Sequence, residues 1–191
     1  MGRTQGFDTA AVVRAARDVF WATGFENASV PELEAATGLN RSSIYHAFGS
    51  KRGLFDAAID SYLNEVVRPR LRPLQAEQVA PTALDEYLAG LDAALRARGS
   101  TIADDGCLLI NTASAPIAQD DAVRQAIVDY RAEMFAAIRR GLAARHPERT
   151  EAQLDSSARA VSALVISALA LTRADPASAL DNLGTARELA A

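Results

Sequence analysis

The 191-residue sequence is poor in several features, and each shortage excludes a class of protein. Its single cysteine excludes an internal disulfide framework and makes a reducing cytoplasm the expected compartment. The longest stretch of low charge, residues 160–172, is shorter than the ~18–20 apolar residues of a membrane span. No apolar segment with a small-residue cleavage site marks a secretory signal near the start. We therefore expect a cytoplasmic protein that has no membrane partner.

The sequence also lacks the motifs of catalysis and metal binding. It contains no Ser/His/Asp set, paired-carboxylate motif or phosphate-binding loop. His46, His146 and Cys107 are far apart in the sequence and do not have the spacing of metal ligands. We therefore predict that the protein is not an enzyme and uses no metal or other cofactor.

The residues that are abundant favour an all-α fold. Alanine and arginine, both strong helix formers, are heavily used, and no segment has a convincing strand pattern. Apolar residues at helical spacing predict about nine helices, near residues 8–23, 30–37, 39–48, 51–68, 82–98, 106–113, 120–145, 150–174 and 176–189. The two prolines of residues 68–73 are expected to break regular structure, and residues 100–105 to form a polar loop.

Residues 38–52 carry the clearest functional signal. Gly38 can end one helix with a positive φ, and Asn40 and Ser50 are good N-caps for the two helices that follow. The helix between the caps has one apolar side, formed by Leu39, Ile44 and Phe48. Its other side has hydrogen-bonding residues: Arg41, Ser42, Ser43, Tyr45 and His46. This pattern is typical of a DNA-recognition helix after a tight turn, although a helical bundle with a short third helix remains an alternative.

The charge distribution is compatible with nucleic-acid binding but does not require it. The net charge is −4, but residues 1–72 have 9 basic and 8 acidic residues, for +1, whereas residues 73–191 have 11 and 16, for −5. Lys51, the only lysine, lies in the first turn of a predicted helix, where the macrodipole disfavours a cation. A phosphate nearby would offset that cost.

A dense set of residues within positions 7–57 resembles the N-terminal domain of TetR-type transcriptional regulators. The residues that carry the resemblance are Phe20, Gly24, Phe25, Ser29, Val30, Leu33, Ala36, Gly38, Leu39, Ile44, Tyr45, Phe48, Ser50, Lys51, Leu54 and Phe55. Beyond residue 60 the resemblance is limited to helix number, length and order. It implies a DNA-binding domain, residues 1–50, and a larger effector-binding and dimerisation domain, residues 51–191, connected by the helix at 51–68.

The resemblance implies a role for each matched polar residue. Tyr45 and Lys51 would hold phosphates, and Ser29 would touch the DNA backbone. Arg41 could pair with guanine in a bidentate manner in the major groove. Three neighbours would assist in base reading: Ser42, Ser43 and His46. Pro31 departs from the family pattern, which often has a polar or basic residue there, so a backbone contact from that side chain is not expected.

The larger domain is expected to contain an effector cavity. Residues on predicted apolar faces that could line it are Tyr62, Tyr87, Cys107, Asn111, Tyr130 and Met134. Polar tips among apolar walls suit a largely hydrophobic small molecule with a few hydrogen-bonding groups, although each residue could simply belong to the core. Cys107 could be a sensing thiol at a helix N-terminus, or a small buried hydrophobic residue.

The last two helices resemble the pair that forms the dimer interface in this family. Residues predicted to lie in that interface are Val161, Val165, Leu169, Leu180 and Leu183. The alternative is that this small-residue stripe packs only inside the monomer.

These features predict a homodimeric one-component regulator, a repressor that binds a palindromic operator in double-stranded DNA. A small, largely hydrophobic effector would release it. Two alternatives remain: a helical protein-interaction adaptor with a degenerate DNA-binding domain, and a redox-sensing regulator that acts through Cys107.

Overall fold

The first three helices begin at the capping residues that the sequence indicates. In the computed structural model, which describes residues 7–97 and 99–191, these helices are α1 (Thr9–Asn27, with non-helical backbone at Gly24), α2 (Val30–Thr37) and α3 (Arg41–Phe48). Ser29 and Glu32 form a capping box at the start of α2. The Asn40 side chain accepts a hydrogen bond from the backbone N–H of Ser43 at 2.9 Å. The first six residues of the predicted DNA-binding domain lie outside the described residues.

The predicted break at residues 68–73 is wrong, because the chain remains helical there. Helix α4 (Lys51–Tyr62) continues through a π-helical turn (Leu63–Val67) into α5 (Arg68–Gln75). Pro69 lies in the first turn of α5, one residue after the π-helical turn, which interrupts the α-helical hydrogen-bond pattern that a proline would otherwise break. Pro73 does lie inside α5, and the helix ends two residues later.

The larger domain is completed by helices that lie close to their predicted positions. They are α6 (Ala83–Arg96), α7 (Thr101–Asp105), α8 (Leu108–Ala113), a 3₁₀ turn (Pro116–Gln119), α9 (Asp121–Arg145), α10 (Glu151–Leu171) and α11 (Pro176–Ala190). The predicted polar loop at 100–105 is instead the short helix α7, because the Ser100 hydroxyl caps it by accepting from the backbone N–H of Ala103. The all-α fold is confirmed, and the described residues form nine helices if 51–75 and 101–113 are each counted once.

The hydrophobic core holds α3 in place. Ile44 is buried, and Leu39 and Phe48 pack half-buried against the core, as predicted. Helix α4 starts directly against the end of α3, since a Cβ atom on Gly53 would lie 2.0 Å from the Phe48 carbonyl oxygen. This close approach fixes the start of α4 relative to α3.

Helix α10 is long and contains few charged residues. By length and composition α10 could cross a membrane, a test that core helices of soluble proteins also pass. One face of α10 is buried against α9 and α11. The opposite face is lined by small residues: Ser156, Ala160, Ala163, Ser167 and Ala170.

Candidate functional site

The outer face of α3 is a continuous polar surface. Arg41, Ser42 and His46 are exposed on it, and Ser43 and Tyr45 are half-buried. The Arg41 guanidinium carbon lies 5.2 Å from the centroid of the Tyr45 ring, within cation–π range. These five predicted residues are therefore brought together as a surface that can contact DNA.

The turn before α3 is fixed by its backbone. Gly38 has a φ of 69°, in the left-handed region that glycine adopts readily. At the first residue of α3, the backbone N–H of Arg41 donates a hydrogen bond to the carboxylate of Glu34 on α2. The start of the recognition helix is thus tied to the preceding helix.

Lys51 lies at the edge of this surface, above an aromatic ring. Its Nζ is 4.6 Å from the centroid of the Phe25 ring, and it forms no ion pair with the residues that the structure describes. Partial burial lowers the pKa of the Lys51 ammonium, while the negative charges of Glu26 and Glu32 act in the opposite direction. The ammonium is therefore available to a phosphate.

Ser29 is less available than the sequence suggests. Its hydroxyl donates to the Glu32 carboxylate at 2.7 Å and accepts from the Glu32 backbone N–H at 3.3 Å. The Ser29 hydroxyl and the Ser29 backbone N–H both donate to the Glu32 carboxylate and lower its pKa, with a smaller contribution from Lys51. A phosphate at this helix end would meet that negative charge, which weighs against a DNA contact by the Ser29 side chain.

Arg52, the second cation at the start of α4, has a structural role. Its guanidinium pairs with Asp56 at 2.8 Å and with Asp120 at 2.7 Å, and thereby joins α4 to the start of α9. The Asp120 carboxylate also caps α9, and the backbone N–H of Val123 is the leading cause of its lowered pKa. Of the two neighbouring cations, only Lys51 remains without an acidic partner among the described residues.

The comparisons with known proteins agree with this geometry. Residues 12–58 match the profile described as bacterial regulatory proteins, tetR family. Over 97% of its length the chain superimposes on 98% of a cysteine-substituted CifR, a TetR-family transcriptional regulator complexed with 26-base-pair operator DNA, with a TM-score of 0.79 and 27% identity. The N-terminal domain of the chain is that of the TetR family. Its relatives and its fold are those of transcriptional regulators and not of enzymes.

Similar curated proteins match the chain over different lengths. It is 35% identical to YezE of Bacillus subtilis (strain 168), an uncharacterised HTH-type transcriptional regulator, over 63% of the chain and 60% of YezE. It is 31% identical to the HTH-type repressor ComR of Escherichia coli K12, over 58% of the chain and 51% of ComR. The chain thus spans between half and two thirds of these two relatives. The repressor BdcR, also of Escherichia coli K12, is 28% identical over 85% of the chain and 80% of its own length.

A small cavity in the larger domain brings three of the predicted effector residues together. Tyr62, Tyr87 and Tyr130 line it, and its volume is about 30 Å³, room for one or two water molecules. The Tyr62 hydroxyl donates to the Cys107 sulfur at 3.1 Å, and the Cys107 thiol donates to the Tyr130 hydroxyl at 3.6 Å. Burial raises the pKa of all three phenols, which therefore stay protonated at neutral pH.

The other predicted effector residues are not on the cavity wall. Cys107 is completely buried behind Tyr62 and Tyr130, as expected of a small core residue. Met134 is a core residue. The Asn111 amide donates to the Asp105 carbonyl oxygen at 2.7 Å, and its side chain borders a groove between α1 and α8. The sequence could not separate these positions from the cavity, because all of them lie on apolar helix faces.

Arg70 lines the cavity and was not predicted to do so. Its guanidinium donates to the Val66 carbonyl oxygen, and both residues line the cavity with Tyr62. The available signal was the four-residue spacing of Tyr62, Val66 and Arg70, which places them on one face of a helix. The expected break at the prolines concealed it.

The cavity is connected directly to the DNA-binding domain. The Trp21 ring on α1 packs edge-on against Tyr62, with centroids 4.8 Å apart, and the indole N–H donates to the Gly106 carbonyl oxygen at 3.2 Å. Arg173, between α10 and α11, donates to the carbonyl oxygens of Trp21 and Ala22 and to the Asp105 carboxylate. These bonds hold α1 against the segment at Asp105 and Gly106, and Gly106 lines the cavity.

The predicted dimer residues face inward and not outward. Val161, Val165 and Leu183 have no exposed surface, Leu169 is 6% exposed, and Leu180 is half-buried. The first four are therefore packed inside the protomer, and their place in a dimer interface stays a prediction. Helical spacing identified an apolar stripe on α10 correctly but could not show that the core covers it.

Proposed function

We propose that this TetR-family chain is a cytoplasmic one-component regulator that represses transcription by binding a palindromic operator as a homodimer. A small effector in the cavity would release it from DNA. The observation that carries the proposal is the outer face of α3, where Arg41, Ser42 and His46 are exposed. Lys51, at the start of α4 beside this face, has no acidic partner among the residues that the structure describes. The operator complex of CifR and the repressor names of ComR and BdcR support it.

The geometry supports different roles for base contacts and phosphate contacts on the operator. Arg41 can reach base edges in the major groove, and its stacking on Tyr45 restricts the guanidinium before DNA is bound. Tyr45 and Lys51 flank that position and can hold phosphates. In a homodimer the two recognition helices would occupy successive major grooves, ~34–36 Å apart or slightly more.

Binding of an effector would require the cavity to open. A volume of about 30 Å³ cannot hold a molecule larger than a few atoms, so ligand binding must displace the walls. Tyr62 is one of those walls and contacts Trp21 of α1. A ligand that binds better to the open conformer would therefore shift the equilibrium toward conformers in which the DNA-binding domain has a different position.

The first experiment is selection of operators from fragments of the source genome with the purified protein. Repeated enrichment of a palindrome, with affinity that falls as salt rises, would support the proposal. The absence of any salt-dependent sequence preference would contradict it. A stable protein partner in a pull-down, together with no shift of any DNA at low salt, would favour the adaptor alternative.

Substitutions of Arg41 and Lys51 are expected to have different effects on operator binding. Arg41→Ala should cost about 1–3 kcal/mol at one base pair and relax specificity there. Lys51→Ala should weaken all sequences alike and reduce the salt slope by about 1. Fluorescence anisotropy with single-base operator variants at several salt concentrations measures both effects. Arg72→Ala, which removes an exposed arginine of α5, is the matched control and should change neither. Equal effects of Arg41→Ala and Lys51→Ala would contradict the assigned roles.

The homodimer is proposed to form through the outer face of α10. The small side chains of that face permit close helix packing, and the adjacent Asn182 amide of α11 donates to the Ser167 hydroxyl at 3.0 Å. This face replaces the buried stripe as the candidate interface.

Ala163→Glu is expected to convert the dimer to a monomer. It places a charge in the centre of the outer face of α10, where a symmetric interface would bring the two copies together. Sedimentation velocity should show the mass of one chain, and operator affinity should fall because one half-site is lost. Ala122→Glu, at an exposed position in the first turn of α9, controls for the added charge and should remain dimeric. A dimeric Ala163→Glu variant would place the interface elsewhere.

A further inference from the structure

The cavity offers hydrogen-bond donors and one positive charge. Its polar side chains are three tyrosines and Arg70, and no carboxylate, lysine or histidine lines it. The other lining residues are apolar, apart from Gly106: Val66, Val67, Leu71, Leu91, Ile102 and Leu169. A ligand that matches this lining has a polar end that accepts hydrogen bonds and an apolar body.

Two of the tyrosine hydroxyls still have a proton to donate. The Tyr62 hydroxyl already donates its hydrogen bond to the Cys107 sulfur. Tyr130 accepts from the Cys107 thiol, which leaves its own O–H without an acceptor among the described residues. The Tyr87 hydroxyl forms no hydrogen bond with that part of the chain, although burial keeps it protonated. Since both side chains line the cavity, both hydroxyls can donate to an acceptor placed there.

Arg70 stands between the cavity and the outside. Together with Val66 and Ile102 it lines both the cavity and an open groove between α1 and α7. Its guanidinium bonds to a backbone carbonyl and has no acidic partner in the described parts of the chain. Glu65, which borders the same groove, is already paired with Arg14 and Arg17. The guanidinium can therefore meet an incoming anion.

We propose that the effector is a small carboxylate with an apolar body. Its carboxylate accepts hydrogen bonds from the Arg70 guanidinium and from the hydroxyls of Tyr87 and Tyr130. Its body displaces the apolar walls. A guanidinium matches a carboxylate in a planar, bidentate arrangement, and the remaining lone pairs can accept from the phenols. The inference rests on the proposed function only for the statement that this ligand releases DNA.

The test compares carboxylates with neutral molecules of the same shape, on the full chain without DNA. The probes are benzoate, phenylacetate and hexanoate, each paired with its amide. Binding is measured by calorimetry and by the fluorescence of Trp21, the only tryptophan, which packs against Tyr62. We expect the carboxylates to bind and their amides to bind at least about tenfold more weakly.

Two variants of the cavity test the assigned contacts separately. Arg70→Gln and Tyr87→Phe should each weaken carboxylate binding by about tenfold or more, with unchanged circular dichroism. Arg72→Gln, two residues away and outside the cavity lining, should bind like the unmodified protein. Should Arg70→Gln fail to fold, Tyr87→Phe and the carboxylate–amide pairs still decide the question.

The outcomes separate this inference from the proposed function. Equal binding of amides and carboxylates, or no binding of any carboxylate to a protein that still binds its operator, overturns the inference alone. Carboxylates that bind with the expected preference but leave operator affinity unchanged support the ligand class. That result would contradict only the proposal that this cavity controls DNA binding.

Discussion

Gly53→Ala is expected to abolish operator binding. The added Cβ would lie 2.0 Å from the carbonyl oxygen of Phe48, a backbone atom that cannot move aside as a flexible side chain would. The Ser50 hydroxyl, which accepts from the Gly53 N–H at 3.0 Å, and Lys51 would be displaced from α3 together with the start of α4. Overpacking of this kind costs about 1–3 kcal/mol and occasionally more. Because the contact lies between the recognition helix and the helix that follows it, the loss should fall mainly on DNA binding.

Operator titration by fluorescence anisotropy and thermal unfolding by circular dichroism measure this effect. Gly90→Ala is the matched control, because a Cβ on Gly90 in α6 would meet no atom within 4 Å. It should bind the operator normally and gain up to about 1 kcal/mol of stability from the helix propensity of alanine. Normal operator affinity of Gly53→Ala would show that the junction of α3 and α4 is more adaptable than its geometry indicates.

Gly106→Ala is expected to destabilise the whole protein. Gly106 has a φ of 67°, which alanine adopts only with strain, and its Cβ would lie 2.4 Å from the Leu169 carbonyl oxygen. Strain and overpacking each cost about 1–3 kcal/mol. For a chain of this size we expect the melting temperature to fall by roughly 10 °C. The indole hydrogen bond from Trp21 to the Gly106 carbonyl would also be disturbed.

Thermal melts followed by circular dichroism and by Trp21 fluorescence test this expectation. Gly184→Ala provides the comparison, since Gly184 lies in α11 with nothing within 4 Å of an added Cβ. That variant should melt at the temperature of the unmodified protein or above it. Unchanged melting of Gly106→Ala would mean that the segment between α7 and α8 can shift away from α10 at little cost.

The helix starts of the DNA-binding domain were predictable because their signals are local. Asn40, Ser50 and the pair Ser29 and Glu32 cap their helices through bonds to residues within three positions in the sequence. Such bonds need no knowledge of the rest of the fold. The polar face of α3 followed from the same local pattern, since three anchoring apolar positions determine which side chains remain outside.

The errors arose where tertiary context decides. Pro69 predicted a break, but the helix continues because a π-helical turn precedes it and changes the hydrogen-bond pattern there. No local sequence pattern predicts that turn. The apolar stripe containing Val161 and Val165 was identified, yet only the packed structure shows that the core covers it. Arg70 was not predicted to line the cavity because of the expected break at residues 68–73, since a broken helix would not place it on the same face as Tyr62.

Arg173 has a further consequence for how the molecule responds to force. It comes from the corner between α10 and α11, and it neutralises the exposed carbonyl end of the helical turns before Gly24. Its third acceptor, Asp105, belongs to the segment beside the cavity. The Arg173 side chain therefore connects α1 to the corner between α10 and α11. A displacement of the corner between α10 and α11 would therefore act on α1 directly through these hydrogen bonds, without passing through the cavity.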